Sequence, residues 1–156
     1  MRWPWCFLAL LPLGALAAPA ALHRGSLTLT PCAVGTPATA LGTVPAFCTR
    51  LEVPERRTGS PAQRRIALHV AVLPATGTPT SPDPIVFLAG GPGQAATAAY
   101  PALAPVFDLW RRHRDVVVMD QRGTGESHPL SCSGESDESM TADVRAQTQA
   151  CLKTLS

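Results

Sequence analysis

Four apolar segments, separated by loops rich in proline and glycine, set the predicted architecture of the chain. Leu51–Pro54 fits a short strand, and Ile66–Leu73 alternates in part, with an aliphatic residue at every second position, as a half-buried strand does. The polar turn between these two segments predicts an antiparallel hairpin. Ile85–Leu88 and Val116–Met119 are continuous apolar runs, a pattern typical of strands buried on both faces.

A helical pattern lies between the two continuous apolar runs. Four apolar residues spaced at i, i+3, i+4 and i+7 predict the buried face of a helix: Leu103, Val106, Phe107 and Trp110. Pro101 and Pro105 fit a helix only near its start, so the helix is predicted to begin some residues after the glycines at 90–93. Strand, glycine loop, helix and strand together take about 36 residues, the size of a βαβ crossover. The chain is therefore predicted to be of α/β class.

The remaining segments complete the predicted organisation. Residues 18–48 are rich in Pro, Gly, Ala and Thr, and they are predicted to form an irregular lead-in to a domain over residues 49–156. A last helix is predicted to start near Thr141, with Asp143 in its first turn. The apolar face of that helix is predicted to hold Val144, Cys151, Leu152 and Leu155.

The first residues have the pattern of an export signal. Arg2 supplies a positive charge, the apolar run Trp5–Leu16 follows, and Ala15-Leu16-Ala17 places small residues at the two positions that a signal peptidase reads. The run is shorter than the roughly 20 apolar residues that a membrane-spanning helix needs. Residues 1–17 are therefore predicted to be a cleaved signal peptide, with no membrane span in the mature chain. The predicted destination is the bacterial periplasm or the extracellular space.

The cysteines agree with an oxidising compartment. Cys6 lies in the predicted signal, and an even number remains after it: Cys32, Cys48, Cys132 and Cys151. Two disulfides are predicted, with three possible connectivities, of which the local pairing of Cys32 with Cys48 and Cys132 with Cys151 closes the smallest loops. A zinc site is the rival hypothesis, but it needs close pairs such as C-x-x-C, which the sequence lacks. No metal site is predicted.

The charge balance argues against one class of partner. Lys and Arg number 13 and Asp and Glu number 11, which gives a formal net charge of +2. The short arginine pairs are typical of a solvated surface. No nucleic-acid partner is therefore predicted, and the oligomeric state is not readable from the sequence.

Two glycine-containing loops follow the two continuous apolar runs. Gly90-Gly91-Pro92-Gly93 ends the first run, and the segment Asp120–Ser127 ends the second. Ligands of open α/β sheets bind at the carboxyl ends of parallel strands, so these loops are the best candidates for a functional site. A tight turn without a function is the simplest alternative for the glycines at 90–93.

Three kinds of ligand site can be compared with this loop. Gly91–Ala96 matches the G-x-G-x-x-A fingerprint of dinucleotide sites, with Asp120 at the end of the next strand. Against it, Pro92 lacks an N–H, and the predicted late helix start would not aim the helix at a pyrophosphate. A P-loop fails because no Lys-Ser or Lys-Thr follows the glycines. An oxyanion loop fits, because glycines let backbone N–H groups approach a developing negative oxygen.

The two loops together resemble a known family. Leu88–Gln94 and Asp120–Ser127 are similar to the motifs of the proline iminopeptidase and tripeptidyl-aminopeptidase branch of α/β-hydrolases, in its secreted form. The resemblance covers roughly residues 48–156, the N-terminal portion of an α/β-hydrolase sheet. It implies an exported serine peptidase that removes residues from peptides with a free N-terminus and needs no cofactor. Many members carry His before the two glycines, where this chain has Ala89.

The resemblance also assigns roles to single residues. It implies that the backbone N–H of Gly91 is an oxyanion donor, supported by loop residues Gly90, Pro92 and Gly93. It further implies that four residues brace the neighbouring turn without taking part in the chemistry: Asp120, Gln121, Arg122 and Gly123.

The nucleophile of such an enzyme is missing from the sequence. No G-x-S-x-G elbow is present, and adjacent Ser127 and His128 cannot readily form a triad with Asp120. The chain is expected to be truncated before the elbow, inactive alone and, with one edge of Ile85–Leu88 unpaired, poorly soluble. Three alternatives stay open: a non-catalytic fragment or binding module, an esterase or lactonase on the same fold, and a dinucleotide-binding domain.

Overall fold

Eight elements of secondary structure follow one another in a computed structural model, which describes residues 20–37, 40, 42–57, 64–78, 80–132 and 143–155. The strands are β1 (Leu22–Arg24), β2 (Leu27–Gly35), β3 (Thr43–Pro54), β4 (Arg65–Leu73), β5 (Ile85–Phe87) and β6 (Val116–Met119). The helices are α1 (Ala96–Arg111) and α2 (Val144–Leu155). The predicted signal peptide at 1–17 and the predicted start of the last helix at Thr141 lie outside the described residues.

The six described strands form one mixed sheet in the order β1-β2-β3-β4-β6-β5. All neighbours are antiparallel except β5 and β6, which run parallel and are joined by α1. The predicted hairpin is confirmed as β3–β4, and the predicted strand–loop–helix–strand unit is confirmed as β5-α1-β6. The chain is of α/β class, as predicted, and is consistent with part of an α/β-hydrolase sheet.

The prediction of an irregular segment at 18–48 is wrong. β1, β2 and the first half of β3 occupy most of it, and the β2–β3 ladder continues through Cys48, which faces Thr30. These strands were not predicted because they contain few buried apolar residues. Leu29 and Val34 are the main ones. Pairing of β1, β2 and the first half of β3 with one another decides the conformation here, which is why strand propensity alone is a weak guide. The hairpin therefore has two strands before it, and Ile85–Phe87 is the fifth strand among the described residues.

The second strand of the hairpin is more deeply buried than predicted. β4 lies between β3 and β6, and residues on both of its faces are buried. α1 covers one face through Ala71 and Leu73. On the other face, Leu27 of the β1–β2 hairpin lines a common cavity with Val70 and Val72. The alternating segment is thus a central strand of the sheet. Its second face is covered by the β1–β2 hairpin, which the sequence analysis did not predict.

The core lies between α1 and one face of the sheet. Its buried members come from both layers: Val34, Ala46, Ala71, Leu73, Phe87, Ala96, Tyr100, Val116 and Val118. Three aromatic rings hold α1 on the sheet, with Phe87 lying 5.6 Å from Tyr100 and 5.7 Å from Phe107 between ring centroids. Edge-to-face contacts of this kind add about 0.5–1.5 kcal/mol to the burial of the rings.

Two details of the helix prediction are wrong. α1 begins at Ala96, so Pro101 and Pro105 lie inside it and not near its start. Of the predicted buried face, Phe107 contacts the core, whereas Leu103, Val106 and Trp110 are exposed. The rotation of α1 is set by Tyr100 and the small residues around it. Small residues carry little hydrophobic periodicity, so the sequence pattern pointed to the wrong face.

Both predicted disulfides have the local pairing. Cys32 joins Cys48 across β2 and β3 with a Cα–Cα distance of 5.8 Å, and Cys132 joins Cys151 of α2 with a Cα–Cα distance of 5.2 Å. These bonds fit an oxidising environment. Within the described part of the chain, neither helix is long and apolar enough to span a membrane.

An apolar surface runs along the free side of β5 and onto α1. Among the described strands β5 pairs with β6 alone. The surface is formed by Leu88 and Leu103, which line a common cavity, with Val106 and Trp110 exposed on the same helix. An unpaired strand edge beside exposed apolar side chains favours association between chains.

We therefore expect this chain to self-associate, and the substitution Val106→Lys to reduce that association. The matched control is Val144→Lys, because Val106 is 59% exposed and Val144, which belongs to the other helix, is 68% exposed. Sedimentation velocity over a range of concentrations measures the effect. A wild-type chain that stays monomeric at every concentration would contradict the expectation.

An ion pair fixes the β1–β2 hairpin to the rest of the sheet. Arg24 Nε lies 2.6 Å from Asp115 Oδ2, just before β6, and the backbone N–H of Ala75 donates to Asp115 Oδ1 at 2.8 Å. Burial by itself raises the pKa of Asp115, but the hydrogen bonds from Arg24 and Ala75 outweigh it and hold that pKa below its ordinary value. The ionised carboxylate is therefore the form that stabilises the fold.

The substitution Asp115→Asn is expected to lower the free energy of unfolding by about 1 kcal/mol at neutral pH, a small value because Arg24 is largely exposed. Since the folded pKa lies below the unfolded one, this difference is present above the ordinary carboxyl pKa of about 3.9. It disappears as the pH falls through the lower, folded pKa. Urea unfolding of both proteins at several pH values tests this, and a difference that grows towards acid would refute it.

Candidate functional site

The glycine loop lies directly between β5 and α1. Gly91 and Gly93 have φ angles of +132° and +89°, a region that side-chain-bearing residues rarely adopt. A Cβ at Gly91 would lie 3.0 Å from the nitrogen of Gly93 and 3.1 Å from the nitrogen of Gln94. Position 91 thus requires glycine on two grounds, whereas a Cβ at Gly90 would meet no atom within 4 Å. The loop is exposed, and its backbone is open to a ligand.

The second predicted loop follows β6. Because β5 and β6 are parallel neighbours, their carboxyl ends lie at the same edge of the sheet and bring the two loops together. Within the second loop the N–H of Gly123 donates to the carbonyl of Ser127 at 2.8 Å, and the N–H of Leu130 donates to the carbonyl of Gly123 at 3.0 Å. These bonds make residues 120–130 an ordered turn, not a flexible connection.

Asp120 links the two loops. Its side chain is fully buried, and its Oδ1 accepts the backbone N–H of Thr97 in the first turn of α1 at 2.9 Å. Its Oδ2 accepts the N–H of Glu126 at 3.1 Å. The residue before α1 is Ala95, which has no side-chain oxygen to cap the helix. Asp120 therefore supplies, from 23 residues away in sequence, the carboxylate that favours a helix N-terminus.

Ser127 and His69 hold the end of β6 against β4. The Ser127 hydroxyl donates to the carbonyl of Asp120 at 2.7 Å and accepts the backbone N–H of His69 at 2.8 Å. The N–H of Asp120 donates to the carbonyl of His69 at 3.1 Å. Ser127 is fully buried and its hydroxyl is engaged with backbone groups, while the exposed His128 has its Nε2 3.3 Å from Arg64. These residues do not form a catalytic triad with Asp120.

The other predicted bracing residues lie on the outer side of the same turn. Arg122 donates to the carbonyl of Glu55, beyond the end of β3, at 2.7 Å. The carbonyl of Gln121 accepts the N–H of Thr124 at 3.0 Å, and Gly123 has a φ of +87°. The turn is thus attached to both strands of the β3–β4 hairpin. The bracing role that the resemblance implies for Gln121, Arg122 and Gly123 stays a prediction.

A polar cleft borders the turn on the side of β3. It has a volume of about 460 Å³ and includes Arg50, His69 and Glu126 among its lining residues. Arg50 and Glu126 pair at 3.0 Å, and His69 Nδ1 lies 3.7 Å from Asp120 Oδ2 and 3.9 Å from Glu126 Oε1. In the described parts of the chain, no group of three or more His, Cys, Asp or Glu side chains could hold a metal ion.

The geometry bears directly on the dinucleotide alternative. The predicted late start of the helix is wrong, since α1 begins at Ala96, two residues after Gln94. A different obstacle takes its place: the helix N-terminus that would receive a pyrophosphate already holds the carboxylate of Asp120. A second negative group there would be repelled. The same carboxylate is fully buried, so it is not available to a ribose hydroxyl.

Sequence reasoning missed three residues of this arrangement: Thr97, Ser127 as a structural group, and His69. Only Thr97 left a usable signal. A helix that follows Ala95 and has no acidic residue in its first turn lacks a local cap, which indicates that a distant group satisfies its N-terminus. The roles of Ser127 and His69 depend on the β4–β6 pairing, which the sequence pattern does not contain.

Comparison with known proteins gives a partial likeness. No protein-family model matches the chain. A proline iminopeptidase from Neisseria gonorrhoeae is 38% identical over 69 residues, which cover 41% of this chain and 20% of that protein. The chain therefore matches about a fifth of the length of this relative. The likeness, together with the α/β architecture, supports a hydrolase-type relationship.

Proposed function

We propose that this chain is the N-terminal part of an exported serine hydrolase, most simply an aminopeptidase of proline iminopeptidase or tripeptidyl-aminopeptidase type. The observation that carries the proposal is the fixed juxtaposition of two loops at the carboxyl ends of β5 and β6. The Gly90–Gly93 loop is open to a ligand, and Asp120 ties the helix that follows it to the neighbouring turn. A likeness of 38% to a proline iminopeptidase supports the same proposal.

The role of the loop follows from the chemistry of acyl transfer. When a nucleophile attacks a carbonyl, negative charge develops on the carbonyl oxygen, and preorganised N–H groups stabilise it. One such donor is worth about 2.7–4 kcal/mol of the activation barrier. In the proposal, the backbone N–H of Gly91 is one donor, and Gly90, Pro92 and Gly93 give the loop its shape. The absence of side chains at 90, 91 and 93 lets a substrate carbonyl approach the backbone.

The rest of the catalytic machinery is not in this sequence. A serine elbow, an acid and a histidine are required, and the sequence has no G-x-S-x-G. The proposal assigns these groups to the full-length enzyme, since the match covers only 20% of the relative. It also assigns there the groups that bind the free amine of a peptide substrate.

Export forms part of the same proposal. The apolar segment behind Arg2 supports a signal peptide at residues 1–17, and the disulfides Cys32–Cys48 and Cys132–Cys151 support an oxidising compartment. In that compartment the substrates are peptides with a free N-terminus. The periplasm and the extracellular space are both reached by export, and both allow disulfides to form.

The gene beyond the codon of Ser156 provides the first test. We expect the reading frame to continue and to encode a G-x-S-x-G elbow after a strand, within roughly 30–60 residues. A stop codon directly after Ser156 would overturn the proposal in favour of a non-catalytic binding module. The full-length protein is then assayed on N-terminal-prolyl amides, blocked peptides and simple esters. Hydrolysis of esters without hydrolysis of free peptides would identify an esterase or lactonase on the same fold.

A further inference from the structure

We infer that Thr97 is a positioning residue for the glycine loop, acting by joining the first turn of α1 to the buried carboxylate of Asp120. This inference rests on the proposed function, since the loop needs a fixed position only if its backbone stabilises a reacting group. Neither the loop motifs nor the sequence pattern around α1 assigns any role to Thr97.

Thr97 makes the main connection between the helix and the second loop. Its N–H donates to Asp120 Oδ1 at 2.9 Å, and its hydroxyl, which donates to the same carboxylate, lies 3.0 and 2.9 Å from the two oxygens. Hydrogen bonds to an ionised acceptor are about twice as strong as neutral ones. No side chain of the helix itself caps this end, because the cap position is Ala95 and no acidic residue lies in the first turn.

The carboxylate is a fixed point of reference. Asp120 is fully buried, its carbonyl accepts the Ser127 hydroxyl, and its N–H donates to His69 of β4. Asp120 Oδ2 also accepts the N–H of Glu126. The backbone and the side chain of Asp120 are thus held to the centre of the sheet. The position of the first turn of α1 relative to the sheet therefore depends on the hydrogen bonds of Thr97 to Asp120.

The loop follows the position of that helical turn closely. Only Gln94 and Ala95 separate Gly93 from Ala96, the first residue of α1. So short a link cannot absorb a displacement of the turn. The position of the Gly91 backbone is therefore set at one end by β5 and at the other end by Thr97 through Asp120.

Thr97→Val and Thr97→Ser separate positioning from general stability. Valine keeps the shape and the N–H but removes the hydroxyl, whereas serine keeps the hydroxyl. In the Thr97→Val variant of the full-length protein, exchange of the backbone amide protons of residues 97 and 99 is expected to become about tenfold faster, as the loss of a hydrogen bond to a charged group predicts. The order parameters of the Gly91 and Gly93 amides are expected to fall, while β3 and β4 keep their protection. Thr97→Ser is expected to restore the wild-type values.

A matched control lies at the other end of the same helix. The hydroxyl of Thr76 is 3.4 Å from the carbonyl of Arg111, so Thr76→Val removes a hydroxyl contact with α1 far from the loop and is expected to leave Gly91 and Gly93 unchanged. Unchanged Gly91 and Gly93 dynamics in Thr97→Val would overturn the inference. So would an equal loss of protection in β3 and β4, because the hydroxyl would then serve stability alone.

The catalytic consequence is measured separately on the full-length protein. Thr97→Val is expected to lower kcat about tenfold with little change in KM, and Thr97→Ser to restore kcat. The two failures are distinguishable. A wild-type protein without hydrolase activity but with the expected amide dynamics refutes the proposed function and leaves the Thr97 connection in place. Normal hydrolysis by Thr97→Val refutes the positioning role and leaves the proposed function intact.

Discussion

Replacing Gly125 by alanine is expected to lower the free energy of unfolding by about 3 kcal/mol, a large part of the stability of a small domain. Gly125 has a φ of +50°, where an alanine costs about 1–2 kcal/mol. The added Cβ would also overlap the Asp120 carboxylate and lie 2.8 Å from the Cβ of Ala95. Asp120 cannot move aside without breaking its bonds to Thr97 and Glu126, so overpacking adds about 1–3 kcal/mol.

Gly25→Ala is the control for this substitution. Gly25 has a similar φ of +56°, but a Cβ there would meet no atom within 4 Å. It therefore reports the backbone penalty alone, about 1–2 kcal/mol. Urea unfolding of the two variants and wild type gives the difference due to crowding at Asp120. Equal destabilisation by both variants would show that the contact between Gly125 and Asp120 is loose.

If the full-length protein is the proposed hydrolase, Gly91→Ala lowers its kcat/KM by about 100-fold. The Cβ would crowd the nitrogens of Gly93 and Gln94 at 3.0 and 3.1 Å, and a φ of +132° is strained for alanine. The loop would shift to relieve both, and a displacement of about 1 Å of a catalytic group can reduce the rate by about 10². The strained backbone is also expected to lower the free energy of unfolding by about 1–3 kcal/mol, as strain at a positive φ does elsewhere.

Steady-state kinetics on an N-terminal-prolyl amide, together with the urea midpoint, tests this expectation. Gly42→Ala is the control, since Gly42 also has a positive φ of +62° and open space around it, and it lies just before β3. Activity of Gly91→Ala close to that of wild type would remove Gly91 from the oxyanion site. It would leave the aminopeptidase assignment to be decided by the substrate panel.

Strands with strong apolar character were predictable from the sequence. The continuous runs at 85–88 and 116–119 became β5 and β6, and the partly alternating segment at 66–73 became β4. Strands that depend on long-range pairing were not predicted. β2 and the first half of β3 contain Pro and Thr and few buried apolar residues. These segments and β1 are strands because they pair with one another and because β3 pairs with β4. Short-range pattern does not contain that information.

Candidate loops were easier to find than the residues that hold them. Gly91 and Gly93 could be found because glycines directly after an apolar run indicate a loop at a strand end. The structure adds that both have positive φ angles, which suit glycine. Asp120 was found as part of a motif, but its function as a distant helix cap was not. That role needs Thr97, 23 residues away in the chain, to come within 3 Å of the carboxylate.

By itself, the sequence determined the α/β class, the two loops at the strand ends, and the local pairing of the cysteines as the favoured one. These features depend on residues near one another in the chain, where periodicity, turn chemistry and loop length act directly. The tertiary structure decided which face of α1 is buried, which strands cover β4, and how Asp120 joins the loops. Each of these depends on contacts between distant segments, whose free energy comes from packing and buried hydrogen bonds that no local pattern encodes.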